Sequence, residues 1–302
     1  SVLNLINNTK VTGTINTETG PLGGVAVSPD GGTVYVTNST GATLRTITMT
    51  HLVEPPPATA NPNPGPMFED FDGPAGTKAD AAMWNYALGG GGDGRVQLYT
   101  DSARNASLDG NGNLVITAIK ETVTDSWGGT WHYTSAFLET DDKFEFTYGT
   151  LSARIKFPVG QGLHPTFWML GSDYDTLGWP NTGEIDILDL YSDSVHAGSG
   201  IHAVGAYNVY DQVPIDISDE FHEFWTRWEP DKITVGVDDI AYAMYTPDSL
   251  PPGTPWTFND RSMFVLLNIA VGGPYGGPDA TTDFPAQMVV DWIRYTPLED
   301  SV

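Results

Sequence analysis

The chain concentrates its chemistry in Gly183-Glu184-Ile185-Asp186-Ile187-Leu188-Asp189, three acids set into an otherwise apolar stretch. Strands do not bury bare charges cheaply, so these acids need either a function or water. A period of two places Glu184 and Asp186 on one face of a strand and would bring Leu188, not Asp189, to that face next. One extra residue in a β-bulge would rotate Asp189 back, and three carboxylates would then line one surface. Two carboxyl groups about 5–5.5 Å apart are what glycoside hydrolysis with retention of configuration requires, one as nucleophile and one as general acid and then base. In a chain with 38 Asp and Glu the triplet also fits a solvated strand face, and these residues alone leave both readings open.

A curved sheet could hold such a cluster, and the rest of the sequence reads as sheet. Thirty-four glycines and 22 prolines separate short runs of alternating hydrophobicity. In Leu151 to Phe157, Leu151, Ala153, Ile155 and Phe157 face one way and Ser152, Arg154 and Lys156 the other. Further strands are expected at Asn113 to Lys120, Lys143 to Thr147, Lys232 to Val237, Phe264 to Val271 and Gln287 to Tyr295. No long stretch has a 3.6-residue period, which favours an all-β sandwich or barrel.

The formal net charge of −25 repels nucleic acid and anionic lipid, and leaves a neutral polymer as a suitable ligand. The absence of cysteine removes disulfides, thiolate metal sites and cysteine nucleophiles. No apolar run reaches the ~18 residues of a membrane span. Ser1 to Ile6 lack the basic start of a secretory signal, so the chain is expected to begin inside a longer precursor.

Six prolines between His51 and Pro66 mark an extended linker. The expected organisation is therefore a β-repeat segment over 1–50, the linker over 51–66 and one large domain over 67–302. In the first segment, the turn Ser28-Pro29-Asp30-Gly31 and the run Thr33-Val34-Tyr35-Val36-Thr37-Asn38 resemble one blade of a YVTN-type β-propeller repeat. A Thr-rich spacer with accidental alternation is the alternative.

Beyond the acids, an ordered series of motifs resembles glycoside hydrolase family 16, and its laminarinase-like branch in particular. It comprises Phe68-Glu69-Asp70-Phe71-Asp72-Gly73, Gly112-Asn113-Leu114-Val115-Ile116, Tyr133-Thr134-Ser135, Ala153-Arg154-Ile155-Lys156, Phe167-Trp168-Met169-Leu170-Gly171, Trp179-Pro180, Phe221-His222, Asn268-Ile269-Ala270-Val271-Gly272-Gly273 and Val290-Asp291-Trp292-Ile293-Arg294. The resemblance implies a β-jelly-roll of two antiparallel sheets with a concave substrate cleft. It implies an endo-β-1,3-glucanase with some tolerance of mixed β-1,3/1,4 linkages, no organic cofactor, and a secreted or surface-bound monomer acting on a neutral β-glucan. Glu184 matches the family's nucleophile, Asp186 the residue that tunes it, and Asp189 the acid/base. Repulsion among close carboxylates is expected to keep the proton on Asp189 and the charge on Glu184.

Three departures touch the expected cleft. Asp189 stands where the family has Glu, and a misplacement of about 1 Å can cost on the order of a hundredfold in rate. His164-Pro165 replaces the usual Trp-Pro, and Phe137 replaces an Arg. A second function therefore stands beside the first, a β-glucan-binding or nearly inactive relative.

Aromatic faces suit the apolar faces of glucose rings, which makes Trp168 and Trp179 expected substrate contacts, with Trp127, Trp131 and Tyr191 as further candidates. His164 and His202 lie in segments expected to form the cleft, but without the spacing of a zinc site. The resemblance also implies a structural calcium held by Asp70, Gly112 and Asp291; an arginine partner for Asp291 is the alternative.

Overall fold

The computed structural model describes residues 64–191, 197–205, 207–218, 220–274 and 276–298, together with three N-terminal strands. Those three strands, Leu22–Val27, Thr33–Asn38 and Leu44–Thr48, pair antiparallel in sequence order. They belong to a compact unit over Ser1–Thr59, and a second unit spans Ala60–Val302. Most of the expected linker, 51–63, and the turn at Ser28 to Gly31 lie outside the described residues.

The larger unit is a sandwich of two sheets. Its principal strands are β1 (Leu114–Thr124), β2 (Thr130–Ser135), β3 (Phe137–Glu139), β4 (Gly149–Lys156), β5 (Leu163–Gly171), β6 (Glu184–Leu190), β7 (Ala197–Ala203), β8 (Tyr207–Gln212), β9 (His222–Glu229), β10 (Lys232–Val237), β11 (Ile240–Tyr245), β12 (Met263–Val271) and β13 (Ala286–Thr296). One sheet runs β11-β10-β9-β4-β13-β1-β2, extended by short strands; the other runs β8-β7-β6-β5-β12-β3 and ends on Asn85–Tyr86. Nearly every pairing is antiparallel, as in a jelly roll; β2 with Gln97–Tyr99 is parallel.

The alternation read in the sequence accounts for the core. Leu151, Ala153, Ile155 and Phe157 are all at most 2% exposed and join one apolar cluster with Ile185, Ile187, Leu188 and Leu190 of β6. Each Leu, Ile or Phe among them contributes about 1.5–3 kcal/mol when fully buried, which is what holds an acid-bearing strand in the sheet. All nine residues of β12 are buried, because one of its faces meets this core and the other lies beneath the cleft. There Leu170, Phe264 and Leu266 form a second cluster, flanked by Phe137 and Trp168.

The strand expected over Lys143 to Thr147 shrinks to Glu145–Phe146. Lys143 and Phe144 donate their N–H groups back to the Thr140 carbonyl, so the chain is still turning where alternation alone predicted a strand.

Candidate active site

A cleft of about 700 Å³ lies on the concave side of the β8–β3 sheet. On β5, period two directs His164, Thr166, Trp168 and Leu170 into it; on β12, Phe264, Leu266 and Asn268 do the same.

The carboxylate strand carries the expected bulge. Asp186 pairs with Gly200 and Asp189 with Gly198, so three steps along β6 match two along β7. On the other side, Asp186 pairs with Trp168 while Leu188 pairs with Phe167, again leaving one extra residue on β6. The bulge returns Asp189 to the face of Glu184 and Asp186, and all three line the cleft. The residues opposite must be small. A Cβ at Gly198 would run into the Asp211 carbonyl and the Tyr210 ring, which crosses this position to reach the cleft.

Each acid has a histidine close by. His202 Nε2 lies 3.1 Å from Asp186 Oδ2 and 3.6 Å from Glu184 Oε1, and His164 Nε2 lies 3.6 Å from Asp189 Oδ2. Burial, reinforced by the charge of Asp186, pushes Glu184 well above the usual carboxylate range, and His202 opposes the shift. Burial and the charge of Asp189 push Asp186 the same way. Both shifts run against the expectation that Glu184 carries the charge. Desolvation by burial favours a proton on the Glu184–Asp186 pair, and Asp186, with its side chain 3% exposed against 14% for Glu184, is the deeper member.

Aromatic residues form the floor and walls. Trp168 donates Nε1–H to Asn268 Oδ1 at 2.9 Å, Thr166 donates to the same oxygen at 2.8 Å, and the Trp168 ring meets Phe137 at 5.9 Å. Trp179, 44% exposed, stands over His202 with ring centroids 5.7 Å apart. Tyr191 stacks on His164 at 5.7 Å and meets Tyr210 edge-on at 5.0 Å. His164, Trp168, Trp179, Tyr191 and His202 are thus all brought into the cleft, as expected.

Trp127 and Trp131 are not. The turn between β1 and β2 carries Trp127 into solvent at 93% exposure. Trp131 lies over Gly90 and donates Nε1–H to Asp125 at 2.7 Å, which spends its ring on supporting the Gly89–Gly92 loop from behind. The sequence reading missed Asn268, Tyr210 and an acidic end of the cleft formed by Glu139, Asp141 and Asp175. Asn268 had left a signal, since a lone amide within Met263–Val271 needs buried partners.

Of the residues expected to hold calcium, Asp70 and Gly112 are neighbours: a Cβ on Gly112 would lie 3.7 Å from the Asp70 carbonyl oxygen. Asp291 pairs with Arg154, which matches its charge without a metal. Carbonyl and carboxylate oxygens are the donors that a hard cation takes, so Asp70 and Gly112 suit calcium in kind, while the Asp291 carboxylate is engaged by Arg154.

Comparison with known proteins agrees with this geometry. The profile of "Glycosyl hydrolases family 16" matches residues 95–294. The chain is 35% identical over 233 residues to a beta-glucanase of Rhodothermus marinus, covering 71% of this chain and 79% of that protein. It is 32% identical over 230 residues to a glucan endo-1,3-beta-glucosidase of Cryptopygus antarcticus, covering 69% and 80%. The catalytic domain of an endo-1,3-beta-glucanase (laminarinase) from Thermotoga petrophila superposes with a TM-score of 0.70 at 37% identity, covering 77% of this chain and 97% of that domain.

Proposed function

The chain belongs to glycosyl hydrolase family 16, and on that premise we propose that Glu184, Asp186 and Asp189 hydrolyse internal β-1,3 linkages of a β-glucan by double displacement. The protein is a glycosidase of the endo-β-1,3-glucanase type. The observation that carries the site assignment is the bulge in β6, which puts the first and last acids of the triplet on one wall of the cleft.

In the first step a Glu184 oxygen attacks the anomeric carbon while Asp189 gives its proton to the departing glycosidic oxygen. With the proton of the pair on the more deeply buried Asp186, Glu184 has the charge it needs to attack, and His202 holds both carboxyl groups in place. In the second step Asp189 takes a proton from water, the water oxygen bonds to the anomeric carbon, and Glu184 is released. Trp168 and Trp179 offer ring faces for neighbouring glucose units.

Substrate is a polysaccharide, and among the described residues no helix is long and apolar enough to cross a membrane. A secreted or surface location is proposed because glucan polymers lie outside the cell. A monomeric state, tolerance of mixed linkages, and a structural calcium at Asp70, Gly112 and Asp291 are proposed with it; the ion would brace the fold away from the reaction. Incubation with laminarin, curdlan, lichenan and agarose, followed by product analysis, tests the assignment. Release of short β-1,3 oligosaccharides from laminarin is the expected outcome. Binding of laminarin without any hydrolysis would instead make the chain a glucan-binding relative.

A further inference from the structure

The acid assigned to proton transfer does not stand alone in its wall of the cleft. Asp189 pairs in register with Thr166 of β5, and His164 lies two residues along β5 on the same face. That diagonal is within reach of long side chains. The imidazole uses it: Nε2 stands 3.6 Å from Asp189 Oδ2, with the two side chains only 8% and 14% exposed. Tyr191 stacks on the ring and Tyr210 braces Tyr191, so the imidazole is held by aromatic contacts that do not depend on substrate. The other cleft histidine, His202, is occupied with Glu184 and Asp186.

We propose that His164 is a positioning residue for Asp189: its Nε2–H holds Oδ2, turns the other carboxyl oxygen toward the glycosidic oxygen, and meets the charge that arrives on Asp189 during the reaction. The inference rests on the reading of Asp189 as the acid/base. In the first step the Asp189 O–H bond breaks and its proton goes to the glycosidic oxygen. The bond from that oxygen to the anomeric carbon breaks, and a Glu184 oxygen bonds to the same carbon. The negative charge lost by Glu184 therefore appears on Asp189, and it returns to Glu184 in the second step. A donor fixed beside Asp189 favours the charged form over the protonated one, so it contributes more as the proton leaves than before. A separation of 3.6 Å is longer than a hydrogen bond, and catalytic contacts of this kind commonly shorten when substrate closes the site.

Two substitutions of similar length separate donation from packing. His164→Gln keeps an N–H near the position of Nε2, whereas His164→Met keeps bulk and removes the donor. With laminarin, H164M is expected to lose about 10- to 100-fold in kcat with KM within about threefold, and H164Q to stay within about fivefold of the parent. With a 2,4-dinitrophenyl β-glucan oligosaccharide, whose leaving group needs no proton, formation of the glycosyl-enzyme should be nearly unchanged in both. H164F, which keeps the stack on Tyr191, provides a second donor-free variant should H164M fail to fold, and thermal melts check all three. Equal losses in Gln and Met, or a loss independent of the leaving group, would overturn the proposal. Asp189→Asn separates the two levels: full activity of D189N on laminarin would overturn the acid/base reading itself, whereas an inactive D189N beside a fully active H164M would overturn only the role of His164.

Discussion

Asp189 shares a face with Asp186 although three positions separate them on β6, because the residues opposite, Gly198 and Gly200, are only two apart on β7. Deleting Ile187 should remove the extra residue and leave a regular strand in which Asp189, now two positions after Asp186, keeps the cleft face by strict alternation. Glucanase activity is expected to persist in part, because the three acids still share a face, and the melting temperature to fall, since Ile187 is fully buried. A folded deletion variant without detectable hydrolysis would contradict this, showing that a shared face is not enough to align the acids.

The bulge was legible in the sequence because period two fails for Glu184, Asp186 and Asp189 by one residue, and only an insertion repairs it. The buried faces of β4 and β13 followed from the same alternation. Trp127 and Trp131 were misplaced because alternation says nothing about where a hairpin tip points. Glu139, Asp141 and Asp175 were invisible for another reason. Asp175, on the short helix Tyr174–Leu177, meets Glu139 and Asp141 only in the folded chain, and no local pattern encodes that meeting.

Burial raises Asp141 from 3.8 to about 6, with Asp142 and Glu145 adding to the effect. A carboxyl whose folded value is raised contributes stability that is complete below its unfolded value and is lost as pH climbs through the folded one. Asp141→Asn should therefore melt with the parent near pH 4 and above it at pH 7, the gap opening between about pH 4 and 6. A gap independent of pH, measured by calorimetry across that range, would contradict the cause given. Glu184→Gln should show the same sign, because its raised affinity for a proton has the same origin in burial.

Seven acids line the cleft: Asp93, Glu139, Asp141, Asp175, Glu184, Asp186 and Asp189; Arg95 is the one Lys or Arg among the described lining residues. Carboxymethylated curdlan should therefore be cleaved more slowly than a neutral soluble β-1,3-glucan at low salt, with the difference shrinking as salt rises. Initial rates at about 10 mM and 300 mM NaCl provide the check. Equal rates for the two polymers at low salt would mean that the acidic lining has no influence on substrate choice.

Residues 67–302 are expected to fold and act without the N-terminal segment, since 51–66 has the composition of an extended linker. The fragment should melt cooperatively at the parent's temperature and cleave laminarin at the same rate. Chelation should lower its melting temperature by a few degrees, and added calcium should restore it, if Asp70, Gly112 and Asp291 hold the ion. An insoluble fragment would contradict the division at the linker.

The most direct test of the mechanism is to trap the intermediate. A 2-fluoro β-1,3-gluco-oligosaccharide with a dinitrophenyl leaving group should accumulate as a glycosyl-enzyme, because the fluorine slows both steps while the good leaving group restores the rate of the first alone. Peptide mass spectrometry should then find the sugar on Glu184 and none on Asp186 or Asp189, and Glu184→Gln should take up no label. A label on Asp189, or turnover with inverted configuration and no covalent adduct, would contradict the assignment of Glu184 as nucleophile.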